Sequence, residues 1–182
     1  MPSEKLSELS VKVMQSILAR TSAYFESEFG ISVNETDTKA GHVDEITLFD
    51  MNAIIGLGGA VNMLIIFSFK ENLLNTLYER MTDGLEIQPD EVEMYHEEAA
   101  GETVNTILGH CTVDLQKLDS RGALAMTPPI ILDRIKTIRR MKGAMFYTQS
   151  LDTSTGGMAI SLVGPINLFN KKLDYVTQKE GL

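Results

Sequence analysis

Three polar residues in one segment, Glu98, Glu102 and Asn105, have side chains and spacing that could serve one chemical site. At 100° per residue, these three and Gly109 fall within an arc of about 60° on one side of a helix. The carboxamide of Asn105 can donate and accept hydrogen bonds without carrying a charge, which suits it to positioning a water molecule. We therefore interpret this arc as a polar docking strip on a rigid scaffold.

The element that must carry the strip is a helix predicted over 89–118, because Pro89 and Asp90 suit a helix start. Its opposite side is apolar and should pack on a sheet, with Val104, Ile107, Leu108, Cys111, Leu115 and Leu118. Gly101 and Gly109 flank the polar group and would let another surface approach the helix backbone. On spacing alone, an ordinary solvated face with two packing glycines is the more common case.

Two further helices are predicted, an amphipathic one over 4–27 with Gly30 beyond it, and a short one over 71–81 that ends before Gly84. Between them, DMNAIIGLGGAVNMLIIFSF contains two apolar runs around Gly58 and Gly59, a strong hairpin signal.

The last third of the chain is predicted to return to strands. ALAMTPPIILD should be a short strand entering a loop at Pro128 and Pro129, since consecutive prolines cannot continue a central strand. KTIRRMKGAMFYTQSLD and GGMAISLVGP should form a second hairpin that turns within 154–157. The expected fold is therefore α/β (α+β): two layers, a largely antiparallel sheet covered by long helices, and two pseudo-repeated halves.

Length and composition favour one domain over 1–182, since the chain has 182 residues, 43% hydrophobic and 23% charged. The net charge of -9 argues against a nucleic-acid partner, because phosphate binding depends on clustered basic residues. The sequence shows neither a signal peptide nor an apolar run long enough to insert into a membrane. Cys111 is the only cysteine, so we expect a cytoplasmic protein without an internal disulfide.

Glu102, Asn105 and Pro128 also follow a longer pattern: Glu, two residues, Asn, twenty-two residues, Pro. Asn105 is the only asparagine in the chain with a glutamate three residues before it. This pattern, with GETVNTILG, TPP and GLGGAVNMLIIFSF around it, resembles the CheC, CheX and FliY family of chemotaxis phosphatases, which dephosphorylate response regulators. Within this family the chain resembles CheX, which has a single copy of the motif, because the first helix contains no second copy. Glu98 stands where the family often has Asp or Ser.

The resemblance implies a phosphatase for the aspartyl phosphate of a phosphorylated CheY-like response regulator. It implies that Asn105 orients the attacking water, that Glu102 pairs with the regulator's active-site Lys, and that the regulator supplies Mg²⁺, so the chain needs no cofactor of its own. Further regulator contacts are expected at Glu98, Gly101, Gly109 and Pro128. The resemblance also implies a homodimer paired through the sheets. The alternative is a non-catalytic receiver-binding module of the flagellar-switch or adaptor type.

Other residues of chemical interest have simpler interpretations. Four basic residues alternate along one predicted strand, where they could be a solvated face, an edge guard or a protein contact: Arg134, Lys136, Arg140 and Lys142. The three histidines, His42, His96 and His110, lack metal-ligand spacing and are predicted to be structural. Cys111 should be a buried, inert thiol. Pro128 and Pro129 fit an ordinary rigid turn as well as a partner contact.

Overall fold

The strands of the fold follow from runs of β-branched and aromatic residues, and the helices from the apolar periodicity between them. The computed structural model of the protein describes residues 8–41, 45–58, 62–118, 125–134, 137–139 and 144–165. Its helices are α1 (Glu8–Phe29), α2 (Glu71–Met81) and α3 (Val92–Leu118). Its strands are β1 (Asn34–Gly41), β2 (Glu45–Thr47), β3 (Met51–Gly58), β4 (Met63–Phe69), β5 (Ala125–Met126), β6 (Ile130–Asp133), β7 (Thr137–Arg139), β8 (Ala144–Thr153) and β9 (Gly156–Pro165).

A seven-stranded antiparallel sheet forms the centre of the fold, in the order β1, β8, β9, β4 and β3, with both β5 and β6 paired to β3. Both predicted hairpins are confirmed. β3 pairs with β4 from Met51 opposite Phe69, and β8 pairs with β9 up to Thr153 opposite Gly156. Gly58 ends β3 as predicted, and Gly59, the other residue of the predicted turn, lies outside the described residues.

The predicted repeat of two halves is present in the strand pairing. Each half contributes one hairpin, β3 with β4 or β8 with β9, and these hairpins meet where β4 pairs with β9. The outer strand of each half crosses to the hairpin of the other half: β1 pairs with β8, while β5 and β6 pair with β3. In this arrangement α1 is the counterpart of α3. Its sequence contains no asparagine, so the polar motif of α3 occurs in one half only.

All three helices pack on one face of the sheet, as predicted, and share one hydrophobic core. Val13 and Ile17 come from α1, Leu73 from α2, and Ile107 from α3. The apolar side predicted for α3 is confirmed: Val104, Ile107, Leu108, Cys111 and Leu115 are each at most 2% exposed. The predicted sixth member, Leu118, ends the helix, and its side chain lies outside the described residues.

The opposite face of the sheet carries a small second layer that the sequence did not predict. β2 and β7 form a separate two-stranded sheet, with Ile46 opposite Ile138. Ile46 packs in a second hydrophobic cluster with Phe146 and Val163, and Ile138 packs against that cluster. The prediction of one continuous strand over KTIRRMKGAMFYTQSLD was therefore wrong, because β7 within that run pairs with β2 while β8 joins the main sheet.

The proposed row of alternating basic residues was also wrong for its first member. Arg134 lies in a bend after β6 with a φ of +56°, and its N–H donates to the carbonyl of Asp50 at 2.9 Å. It is exposed and is not part of a strand. Lys136, Arg140 and Lys142 lie outside the described residues.

The turn between β8 and β9 is fitted tightly against the start of α2. Gly156 has a φ of +154°, and a Cβ placed on it would lie 2.7 Å from the backbone nitrogen of Leu73. The neighbouring Gly157 accepts a hydrogen bond from the N–H of Lys70 at 3.0 Å. Since real Cβ atoms essentially never approach so closely, only glycine fits at position 156.

The two prolines interrupt a strand at the edge of the sheet, between β5 and β6. Thr127 fastens this interruption to β3 twice: its N–H donates to the carbonyl of Gly56 at 3.0 Å, and its Oγ1 accepts from the N–H of Gly56 at 2.9 Å. The predicted loop at Pro128 and Pro129 is confirmed. The strand resumes as β6 on the same neighbour, which was not predicted.

Candidate functional site

The polar strip of α3 faces outward, as its spacing predicted. Glu98, Glu102, Asn105 and Gly109 are all exposed, although the same helix supplies a large part of the core. Thr103 and Val104, which separate Glu102 from Asn105, are 2% and 0% exposed. The backbone that carries the two polar side chains is therefore held by buried neighbours, which limits its movement.

Helix α1 supports α3 from the side at two levels. At the level of the motif, the hydroxyl of Tyr24 lies 3.5 Å from the hydroxyl of Thr103. Burial raises the pKa of Tyr24, and the nearby carboxylates of Glu28 and Glu102 raise it further, so the phenol stays protonated and neutral at physiological pH. Glu102, which is exposed, therefore lies close enough to Tyr24 for its charge to affect this pKa.

Further along α3, Arg20 of α1 makes a bidentate contact with Asp114. Its Nε donates to Oδ2 at 2.8 Å and its Nη2 donates to Oδ1 at 2.9 Å, while the hydroxyl of Ser16 donates to Oδ2 at 3.3 Å. The hydrogen bonds and charge of Arg20 lower the pKa of Asp114. This paired geometry fixes the register of α1 against α3, and hence the direction in which the strip points.

An open groove of about 590 Å³ lies beside the strip. Its lining comes from the end of α2, the first half of α3 and strand β6: Met81, Met94, Glu97, Glu98, Gly101, Glu102, Asn105 and Ile131. The structure thus brings four of the predicted site residues to one surface: Glu98, Gly101, Glu102 and Asn105. The lining combines three glutamates with the apolar side chains of Met81, Met94 and Ile131.

The two glycines of the strip differ in their surroundings. Gly101 is buried in the floor of the groove, where an added Cβ would touch Ile131 Cδ1 at 3.7 Å, an ordinary contact distance. Gly109 is exposed, and an added Cβ would meet nothing within 4 Å. Neither glycine is required sterically by the folded chain itself, although glycine lowers the stability of a helix.

Pro128 is exposed in the interruption between β5 and β6, and it is not among the residues that line the groove. The nearest lining residue along the chain is Ile131, in the strand that follows. The loop is therefore connected to the groove by β6, and the exposed Pro128 itself does not line the groove.

Other predicted structural residues have clear roles. His96 joins α3 to α2: Nε2 lies 3.0 Å from Asn75 Oδ1, and the ring packs on Tyr78 with centroids 4.4 Å apart. Burial raises the pKa of the Cys111 thiol to about 11.

Within the described ranges, no group of three or more His, Cys, Asp or Glu side chains is placed to hold a metal ion. None of the described helices is long and apolar enough to cross a membrane.

Sequence reasoning missed the apolar half of the groove. Met81 is 36% exposed and Met94 is 46% exposed, and Ile131 is half-buried between strand and helix. An exposed methionine carries no distinctive signal in a sequence, and Ile131 reaches the site only because β6 pairs with β3. The role of Tyr24 was missed for the same reason, since it depends on how α1 packs against α3.

Comparison with known families gives one match: the model for the chemotaxis phosphatase CheX matches residues 51–151. That span is more than half of the chain, and it contains the whole of α3 with Glu102 and Asn105. No curated protein matches the sequence.

Several solved structures share the fold at low sequence identity. The chemotaxis protein CheX of Desulfovibrio desulfuricans is 16% identical with a TM-score of 0.70, over 82% of this chain and 97% of that one. CheX of Borrelia burgdorferi, solved in complex with CheY, BeF3 and Mg²⁺, is 14% identical with a TM-score of 0.63, over 83% of this chain and 96% of that one. FliY of Thermotoga maritima is 12% identical with a TM-score of 0.61, over 100% and 98%. These likenesses confirm the predicted fold.

Proposed function

The chain belongs to the CheX family of chemotaxis phosphatases, and from that membership we propose that it hydrolyses the aspartyl phosphate of a phosphorylated, CheY-like response regulator. The observation that carries the proposal is the placement of Asn105: an exposed carboxamide, three residues from an exposed carboxylate, on a helix fixed by its buried side. The solved complex of a Borrelia CheX with CheY gives a precedent for the partner.

The reaction needs positioning more than activation. An aspartyl phosphate is a mixed anhydride, so its phosphorus is already open to attack. The Mg²⁺ that the receiver domain holds would neutralise negative charge on the phosphoryl oxygens. What is missing is a water molecule aligned with the bond that breaks. Attack by that water forms a new P–O bond, breaks the bond to the aspartyl oxygen, and yields inorganic phosphate and a free carboxylate.

Asn105 is proposed to hold that water. Its carbonyl oxygen can accept a hydrogen bond from the water while its NH2 group donates to a neighbouring oxygen, which orients the lone pair of the nucleophile. A carboxylate at this position would repel the phosphoryl group and compete for the metal. A neutral side chain therefore suits the position better than an acidic one.

Glu102 is proposed to anchor the receiver. In this account its carboxylate pairs with the receiver's active-site Lys, which fixes the helix over the reaction centre and draws that Lys from the phosphate. A charge-assisted hydrogen bond of this kind contributes about 1.5–3 kcal/mol when it is shielded from water. Glu98, one turn earlier on the same side, adds a second acceptor. Gly109 lets the receiver approach the helix backbone, and Pro128 borders the contact.

The proposal extends to the setting of the protein. Mg²⁺ enters with the receiver, so the chain contributes no metal of its own. We further propose a cytoplasmic location, where receiver domains are phosphorylated, and a homodimer. Sedimentation of the purified protein over a range of concentrations tests the dimer directly.

The deciding experiment is a turnover assay. Purified protein is incubated in catalytic amounts with several phosphorylated receiver domains and Mg²⁺, and the loss of phosphoryl label is followed against spontaneous hydrolysis. Faster loss with at least one receiver is the expected result. Binding of a phosphorylated receiver without faster loss would replace the phosphatase with the alternative, a non-catalytic receiver-binding module.

A further inference from the structure

The groove beside Glu102 and Asn105 has the make-up of a binding surface. Met81 and Met94 keep 36% and 46% of their surface exposed, and they face the groove together with Ile131. A folded chain gains stability by covering such side chains, so a concave, exposed apolar cluster marks a contact with another molecule. Methionine suits such a contact because its unbranched, polarizable side chain adapts to the shape of its neighbour.

The charge of the groove indicates the chemistry of its occupant. Three of its lining residues are glutamates, Glu97, Glu98 and Glu102, and none is basic. Within the part of the chain that the structure describes, none of these carboxylates takes part in a salt bridge. A groove lined by apolar side chains and by these carboxylates is complementary to an apolar side chain that has Lys or Arg beside it.

The position of the groove identifies which molecule supplies that side chain. Glu102 and Asn105 line the groove themselves, so a receiver whose phosphorylation site reaches Asn105 must also cover it. Met94 precedes Asn105 by eleven residues, or roughly 16 Å along the helix. A standard interface buries about 800 Å² on each partner, a patch roughly 30 Å across. A footprint of that width is large enough to include both Asn105 and Met94.

We infer that this groove receives an apolar side chain of the receiver, flanked by at least one Lys or Arg, and that Met81 and Met94 select which receivers are accepted. The inference rests on the proposed function and adds to it a specificity site away from the reacting atoms. Because the contact is the same before and during the reaction, it changes binding and leaves the chemical step alone.

The test uses the full chain and a receiver that it dephosphorylates. Met94→Glu places a charged carboxylate where the receiver's apolar side chain should pack, and burying that charge is unfavourable, so KM should rise about tenfold or more while kcat stays within twofold. Met94→Leu keeps the apolar surface and should retain the KM of the unmodified protein. The matched control is Val113→Glu, which adds the same charge to the same helix at a residue that is 55% exposed and outside the groove.

A second pair of substitutions tests the charge. Glu97→Gln combined with Glu98→Gln should raise KM and flatten its dependence on salt, because attraction between exposed charges is screened at high ionic strength. Thermal unfolding of every variant checks that the fold is retained, which is expected because all the substituted residues are exposed.

The outcomes separate this inference from the proposed function. If Met94→Glu leaves KM unchanged, or if Val113→Glu raises KM equally, the groove is not the selective contact, while hydrolysis that depends on Asn105 still stands. If no phosphorylated receiver is hydrolysed, the proposed function is wrong. Calorimetry with a beryllofluoride-treated receiver then tests the role of the groove independently of hydrolysis. Weaker binding to Met94→Glu than to Val113→Glu supports the inference, and equal binding overturns it.

Discussion

Glu102 and Asn105 stand exposed on α3 on either side of two buried residues, Thr103 and Val104, and both line the same groove. One segment of helix thus joins the core and presents two polar side chains at a fixed separation. Because the supporting residues are buried and these two are exposed, substitutions can test the proposed function with little effect on folding.

Asn105→Ala should lower kcat by roughly 100-fold or more, by analogy with the loss of one preorganised polar group from a reaction centre. Binding of the receiver should stay within about twofold, because the water-positioning contact matters mainly in the transition state. The measurement is hydrolysis of a phosphorylated receiver under saturating conditions. Gln116→Ala, which removes another exposed carboxamide from α3, is the control. Normal turnover by Asn105→Ala would remove this residue from the mechanism.

Glu102→Gln should weaken the complex by about 1–1.5 kcal/mol, or roughly 5- to 12-fold in Kd, because the carboxamide can still accept a hydrogen bond from the Lys but loses the attraction between opposite charges. Calorimetry with a beryllofluoride-treated receiver measures this loss. A double-mutant cycle with the receiver's Lys→Ala variant isolates the pair, since the two losses should not add. Glu93→Gln, another exposed glutamate of α3, should bind normally. Additive losses would mean that Glu102 has a different partner.

Gly109→Ala should affect stability and binding in opposite directions. An added Cβ meets nothing within 4 Å in the folded chain, and alanine favours a helix over glycine by up to about 1 kcal/mol, so the melting temperature should rise. Affinity for the receiver should fall if the receiver approaches the helix backbone there. Denaturant unfolding and calorimetry on the same preparation give both values. A stabler variant with unchanged affinity would exclude Gly109 from the contact.

Gly156→Ala should destabilise the fold by about 1–3 kcal/mol, the range for a strained backbone position. The added Cβ would lie 2.7 Å from the backbone nitrogen of Leu73, at a φ of +154° that side chains rarely adopt. Urea unfolding measures the change, and Gly109→Ala serves as the open-space comparison. A stability equal to that of the unmodified protein would mean that the turn between β8 and β9 can move away from α2.

Cys111 should be unreactive in the folded protein, because burial raises its pKa to about 11 and leaves little thiolate near neutrality. Thiol reagents should label it only on unfolding. The folded chain holds this proton more tightly than the unfolded chain, whose thiol pKa is 9.0. Its contribution to stability is therefore complete below pH 9 and decreases as the pH rises toward 11. Urea unfolding at several pH values, with Cys111→Ala showing a weaker decrease, checks this.

Local sequence patterns were sufficient to predict the helices, both hairpins and the outward face of α3. Helical spacing separated Val104 and Ile107 from Glu102 and Asn105, and this separation depends only on helix geometry. The packing of the three helices on one face followed from the same patterns.

Features that depend on distant contacts could not be predicted from the sequence. β7 leaves the main sheet because Ile138 pairs with Ile46, more than ninety residues away, and no local signal distinguishes that run from the β8 run after it. The apolar half of the groove likewise combines Met81, Met94 and Ile131 from three separate elements. Spacing along one helix describes one side of a site, whereas its other walls are determined by tertiary packing.

The split between the buried and exposed sides of α3 affects how the protein can evolve. Most random substitutions threaten a fold that is only marginally stable, and this restricts the routes open to an enzyme acquiring a new substrate. Here the outward positions of α3 contribute little to the core, so mutations there are nearly neutral for folding. In evolution, single substitutions at these positions can therefore change the surface that α3 presents while the fold is retained, without compensating changes elsewhere in the chain.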